Sequence, residues 1–206
     1  MKRPALIFDF GNVVAHFDYA KATARLGARL GLSGPEVLAR ARAAGLNDLV
    51  KIYEAGRMTS HEFSRKVTAL VGLEITHDEF VEAWGDIFWL NPSVAELIVE
   101  LKKRGYTLVL GSNTNEIHAN LFLPQFADTF KHFDAIGLSY EIGHIKPSSE
   151  FYLACAALAE ADPSDCVFID DLIENVEGAN AAGLQGLLYV ETPRLQADLG
   201  EIGIQF

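Results

Sequence analysis

Asp9 closes an apolar run, Ala5-Leu6-Ile7-Phe8, and is followed at once by Phe10-Gly11-Asn12-Val13-Val14. An unbroken apolar run of that length, stopped by turn residues, reads as a strand buried on both faces. A carboxylate at its end is not there for packing, because burying an unpaired charge is costly. In open parallel sheets the carboxyl ends of the strands are where ligands bind. Three more clusters share this grammar. Thr107-Leu108-Val109-Leu110-Gly111 ends in Ser112-Asn113-Thr114-Asn115. His144-Ile145-Lys146-Pro147 puts a lysine just before a predicted helix whose first turn begins at Pro147. Cys166-Val167-Phe168-Ile169 ends in the pair Asp170-Asp171. Adjacent carboxylates repel unless a cation or a proton lies between them. The set of Asp, Ser, Lys and paired Asp is what phosphoryl transfer to a carboxylate requires. That chemistry uses an aspartate nucleophile, Mg²⁺ held by carboxylates, and a hydroxyl and an ammonium on the phosphoryl oxygens.

In order and spacing, these four segments resemble the haloacid dehalogenase-like hydrolase superfamily, from Asp9 through Asn175 to Gly183. The forms Phe8-Asp9-Phe10-Gly11-Asn12-Val13-Val14 and Ser112-Asn113-Thr114-Asn115 look closest to its small bacterial sugar-phosphate phosphatases, of the α-D-glucose-1-phosphate phosphatase type. The resemblance implies that Asp9 is the nucleophile and that Ser112 binds the phosphoryl group. It implies that Lys146 neutralises charge on both, and that Asp171, with Asp170 beside it, holds Mg²⁺ together with Asp9 and the Gly11 carbonyl. Asn113 is a further candidate for contact with substrate, and Asn113 and Asn115 shape the loop after their strand. The chain departs from the family pattern at Gly11, where most phosphatases of this kind carry a second aspartate as general acid/base. Without it, esters with good leaving groups, such as anomeric sugar phosphates, are expected to be favoured. His16 and Asp18 lie near enough in sequence to substitute, but read better as hinge or surface residues. Two rival readings stand beside the phosphatase: a metal-independent 2-haloacid dehalogenase, which the acidic pair disfavours, and a silent binding protein or receiver-like switch.

The elements that must position these residues are legible as an α/β pattern. After Tyr106, strands ending near Ser112, Ser139, Ile169 and Val190 alternate with helices over about 116–126, 148–160 and 174–182, with a weak one after Pro193. That alternation predicts a Rossmann-like parallel sheet with helices on both faces. Between the first strand and Tyr106 lies far more chain than a crossover needs. Its helix-start signals recur: Ser33 with Glu36, Thr59 with Glu62, and Thr76 with Glu79, each a capping box. The chain therefore divides into a discontinuous core, 1–16 and 90–206, and an inserted helical segment, 17–89. In the family resembled, this insert is an α-helical cap over the active site. Trp84, Phe88 and Trp89, at its end, read as packing between the insert and the core helices. Arg57 reads as a solvated residue at a turn, and the histidines show no zinc-ligand spacing.

The 206 residues are half apolar and carry a formal net charge of −11. That length supports one domain with a sizeable core, or one domain and an insert. The acidic balance argues against a nucleic-acid surface. It leaves room for a small phosphate ester as partner if Mg²⁺ and Lys146 set the local field. No apolar stretch has the length of a signal peptide or a membrane span, and the two cysteines, Cys155 and Cys166, read as buried thiols. A cytoplasmic location is the expectation; the oligomeric state is not readable.

Overall fold

The computed structural model describes residues 3–206. Five parallel strands form the central sheet: β1 (Ala5–Phe8), β4 (Leu108–Ser112), β5 (Ala135–Leu138), β6 (Cys166–Asp170) and β7 (Gln185–Leu188), in the order β5-β4-β1-β6-β7. The strand that precedes Asp9 is thus the middle one, with Phe8 opposite Leu110 on one side and Ile169 on the other. Its four residues are all buried. Alternation along β1 sends Leu6 and Phe8 into the larger apolar cluster and Ala5 and Ile7 into the smaller one on the opposite face. The chain leaves β1 toward β4 on one side and later returns to β6 on the other. Asp9, Ser112 and Asp170 therefore stand side by side at the carboxyl edge, at the crevice this topology creates.

Two short strands, β2 (Ala15–Phe17) and β3 (Phe88–Leu90), pair antiparallel and carry the chain out of the sheet domain and back. Between them lie five helices: α1 (Tyr19–Leu30), α2 (Gly34–Ala43), α3 (Leu46–Glu54), α4 (Ser60–Val71) and α5 (His77–Gly85). All three capping boxes form, with Ser33, Thr59 and Thr76 each exchanging bonds with the glutamate three residues on. The helix α3 carries no side-chain N-cap and follows Gly45 in the left-handed region, which explains why its start has no sequence signature. The remaining helices are α6 (Pro92–Lys103), α7 (Glu116–Gln125), α8 (Ala127–Phe130), α9 (Ser139–Ile142), α10 (Ser149–Leu158), α11 (Ile173–Ala181) and α12 (Thr192–Glu201).

The helical segment is fixed to the sheet domain by polar contacts as well as rings. Ser139 Oγ donates to the Glu54 carbonyl at 2.7 Å. The Tyr53 hydroxyl accepts the Ile117 N–H at 3.2 Å and meets Ser60 Oγ at 2.6 Å, while Ser60 Oγ also bonds Glu116. Gly56, at φ +68°, lets the turn after α3 approach so closely that a Cβ there would lie 2.1 Å from the Tyr140 carbonyl oxygen.

Three expectations need correction. Pro147 does not open a helix: the Lys146–Pro147 peptide is cis, Ser148 is the N-cap, and α10 begins at Ser149. The helix after Pro193 is not weak; it is the ten-residue α12, whose first turn contains Pro193. Trp84 and Phe88 are core residues, but Trp89 is 42 % exposed. It stands on β3 beside the His16 ring, with Lys21 Nζ 4.5 Å over its face. Strand alternation turns it away from the core that Phe88 enters. Cys155 and Cys166 are buried. Among the described residues, no helix is long and apolar enough to cross a membrane.

Candidate active site

The Lys146 ammonium lies between two carboxylates, 2.6 Å from Asp9 Oδ1 and 2.7 Å from Asp170 Oδ2. All three side chains are buried or nearly so. The lysine's backbone is held as firmly as its charge. Asn113 Oδ1 accepts the Lys146 N–H at 2.8 Å, and Asn113 Nδ2 donates to the Lys146 carbonyl at 3.2 Å. Both ends of that amide are therefore committed to placing the lysine. Ser112, at the tip of β4, is buried, and its hydroxyl makes a long 3.4 Å contact to the Asn113 carbonyl. Asn115 caps α7 by accepting the His118 N–H.

The two adjacent aspartates have different surroundings. Asp170 is fully buried and its oxygens are saturated: Lys146 donates to Oδ2, the Leu172 N–H to Oδ1, and Asn175 Nδ2 to both at 3.0 and 3.1 Å. Asn175 is oriented in turn by the Tyr152 hydroxyl, which donates to its carbonyl at 2.7 Å. Asp171 is half-buried and accepts one side-chain bond, from Asn12 Nδ2 at 3.0 Å. Asn12 sits at φ +57°, a conformation asparagine tolerates better than most residues. Sequence reasoning passed over Asn12, although Gly11-Asn12 directly after a buried strand is a turn signal.

Electrostatics follows from this crowding. Burial pushes the Asp9 carboxyl up; Lys146 pulls it down and the neighbouring aspartates push it up again, to about 7. Burial raises Asp171 as well, with Asn12 opposing and Asp170 reinforcing. Burial disfavours the Lys146 ammonium, but Asp9 and Asp170 more than offset it and hold it above its ordinary value. One oxygen from each of Asp9, Asp170 and Asp171 lies within 4.8 Å of the others. Three hard oxygen donors against one ammonium leave an excess of negative charge, which suits a divalent cation such as Mg²⁺. The Gly11 backbone is part of the same loop and bridges to Ala15. An open cavity of about 470 Å³ lies beside Asp171, lined in part by Asn12, His16, Asn91 and Tyr189.

A family model for haloacid dehalogenase-like hydrolases matches residues 4–183. The chain belongs to that family. Its fold agrees: it superposes on a HAD-like hydrolase from Porphyromonas gingivalis with a TM-score of 0.80 at 23% identity, covering all of both chains. A HAD family enzyme from Bacteroides thetaiotaomicron, solved with magnesium and inorganic phosphate, gives 0.75 at 22% identity over 92% of this chain and 95% of that one. An L-2-haloacid dehalogenase from Xanthobacter autotrophicus gives 0.67 at 17% identity, over 100% and 85%. The fold therefore serves both chemistries and does not choose between them. In sequence, this HAD-like hydrolase is 28% identical over 186 residues to D-ribitol-5-phosphate phosphatase of Bacteroides thetaiotaomicron, covering 87% of this chain and 88% of that one. It is 28% identical over 109 residues to hexitol phosphatase B of Escherichia coli K12, about half of each protein.

Proposed function

We propose that this HAD-like hydrolase is a Mg²⁺-dependent phosphatase acting on a small sugar phosphate or sugar-alcohol phosphate. The observation that carries the reading is the convergence of Asp9, Asp170 and Asp171 around one lysine. Displacement of halide from carbon gives no reason to gather three carboxylates, whereas phosphoryl transfer does. The phosphatases among the sequence relatives support the same choice.

Asp9 is the nucleophile. Its carboxylate attacks phosphorus in line, the ester oxygen departs, and the resulting aspartyl-phosphate is hydrolysed by water. Lys146 opposes the effect of burial on Asp9, favouring the carboxylate that attacks, and faces the charge that builds on the phosphoryl oxygens. Ser112 donates its hydroxyl to one of those oxygens, and Asn113 fixes the lysine that serves them. Asp9, Asp171 and the Gly11 carbonyl, with Asp170 behind them, would hold Mg²⁺, which supplies Lewis-acid charge neutralisation when bound. Residues 1–16 and 90–206 act as the catalytic core. Residues 17–89 act as the cap, whose cavity of about 290 Å³, lined by Tyr19, Thr23, Arg42, Asn47, Glu54 and Trp84, selects the leaving group.

The test is a panel of phosphate esters with purified protein, in Mg²⁺ and in EDTA, beside 2-chloropropionate. The reading requires Mg²⁺-dependent phosphate release that Asp9→Asn abolishes in folded protein. Metal-independent chloride release without phosphatase activity would replace it with the dehalogenase.

A further inference from the structure

Gly11 leaves the loop after Asp9 without a general acid/base, and the structure shows that the slot is filled. A Cβ at Gly11 would lie 2.9 Å from Cε1 of Phe17. The polar residues just downstream are used elsewhere. Asp18 caps α1, with Oδ1 accepting the Ala20 N–H at 2.7 Å. His16 lies on β2 with its ring against Trp89. A proton donor has to come from the other wall of the site.

Glu54, in the helical segment, lies within electrostatic reach of Lys146. It is the last residue of α3 and lines a cavity within the helical segment. Its backbone is anchored to the sheet domain: Ser139 Oγ, itself fully buried, donates to the Glu54 carbonyl at 2.7 Å and accepts the Thr114 N–H at 2.9 Å. Thr114 follows the β4 tip that carries Ser112, so one hydroxyl ties Glu54 to the phosphoryl-binding loop. Tyr53 on one side and Gly56 on the other add the Ile117 and Tyr140 contacts. Lys146 from the core and Tyr19 from α1 interact electrostatically with Glu54, and Arg42 from α2 and Lys51 from its own helix line the same cavity. Burial pushes its carboxyl up to about 7, against the pull of the Lys146 ammonium. A group poised near neutrality both gives and takes a proton readily.

We propose that Glu54 is the proton donor and acceptor of the reaction, supplied from the helical segment because the Asp9 loop has no room for one. This assignment rests on the phosphatase reading. In the first step Asp9 forms its bond to phosphorus as the bridging P–O bond breaks, and the Glu54 proton goes to the departing oxygen to release the alcohol. In the second, carboxylate Glu54 takes a proton from the water whose oxygen attacks phosphorus. The bond to Asp9 breaks, restoring the Asp9 carboxylate and protonated Glu54 and releasing inorganic phosphate. Esters of primary alcohols then become workable substrates despite Gly11.

The experiment compares wild type, Glu54→Gln and Glu54→Asp on p-nitrophenyl phosphate and phenyl phosphate with Mg²⁺. Loss of the acid should lower kcat/KM for phenyl phosphate by about 10² or more, and for the activated ester by about tenfold at most. Loss of the base should leave Glu54→Gln with a stoichiometric burst of p-nitrophenolate and a slow steady state. The fall of phenyl phosphate kcat/KM above about pH 7 should vanish in Glu54→Gln, and Glu54→Asp should retain part of every effect. An equal loss on both esters without a burst, or no loss, overturns the assignment. Failure of the phosphatase reading looks different: wild type itself releases phosphate from neither ester.

Discussion

Replacing Lys146 with methionine removes the ammonium lodged between Asp9 and Asp170. Its contacts are 2.6 and 2.7 Å, and its side chain is only 2 % exposed. Deleting one member of a buried ion pair costs about 3–5 kcal/mol, because the partner charge is left uncompensated. Methionine preserves most of the volume, and the Phe151 and Phe168 rings, 6.0 and 5.5 Å from the ammonium, suit a thioether. The loss is therefore electrostatic rather than a cavity. For a chain of this size each kcal/mol is worth roughly 2–4 °C, so Tm in EDTA should fall by roughly 6–20 °C near neutral pH. The pH dependence has a definite sign. Asp9 titrates at about 7 in the fold against 3.8 in the unfolded chain, so between those values the native state holds the extra proton. A group raised in this way favours the fold at low pH, and that contribution is lost as pH rises through the folded value. Without Lys146 the Asp9 value rises further, so the deficit should be largest at about pH 8 and shrink toward about pH 5. Added Mg²⁺ should restore part of it at the higher pH. Thermal melts followed by circular dichroism, at both pH values with and without metal, measure all three effects. A deficit under about 1 kcal/mol, or one equal at both pH values, would refute the buried-triad account.

Asp171→Asn should raise the Mg²⁺ needed for half-maximal activity at least about tenfold with little change in Tm, since Asp171 accepts one side-chain bond, from Asn12. Asp170→Asn should instead show its main effect in Tm, because Lys146, Asn175 and Leu172 all donate to it; metal titrations beside melts separate the two. Gly11→Asp should not gain activity. Its Cβ meets Phe17, so about 1–3 kcal/mol of overpacking should appear in melts and be relieved by Phe17→Ala in the same chain. Gly56→Ala should loosen the turn after α3, at a cost of about 1–3 kcal/mol for a strained left-handed alanine, before the clash with Tyr140. Faster hydrogen exchange in α3 and α9 would report it.

The sheet and its carboxyl edge were legible because each strand announces itself locally. Ala5–Phe8, Leu108–Ser112 and Cys166–Asp170 are short apolar runs ending in polar residues, and parallel topology then forces those ends together. Capping boxes likewise mark α2, α4 and α5 by residue type alone. What stayed hidden depends on contacts across long sequence gaps. Asn113 reads in sequence as a loop residue and a candidate substrate contact, and its clamp on Lys146, 33 positions away, shows only in the fold. Glu54 sits in an unmarked helix, and only the Ser139 hydroxyl, 85 positions on, shows that it is held against the core. Phe17 gives no hint that its ring fills the space beside Gly11. Trp89 reads as core from the aromatic cluster at the end of the insert, while the pairing of His16 with Trp89 turns it outward.

Charge explains why the two walls of the site divide their work. A phosphate ester is anionic and the chain is acidic, at −11, so attraction has to be local. Lys146 alone does not supply it, because Asp9 and Asp170 already occupy its ammonium. A divalent cation held beside Asp171 would reverse the sign of the field at the sheet edge without adding a second lysine to a crowded core. On the Asp9 side the Phe17 ring occupies the space that a side chain at position 11 would need. Placed on α3 instead, Glu54 lies in the field of the lysine but in surroundings dry enough to raise it to about 7. Asp9 and Glu54 are thus held on separate elements, each raised toward neutrality by burial, and the Ser139 tie between Thr114 and Glu54 keeps the two walls in register.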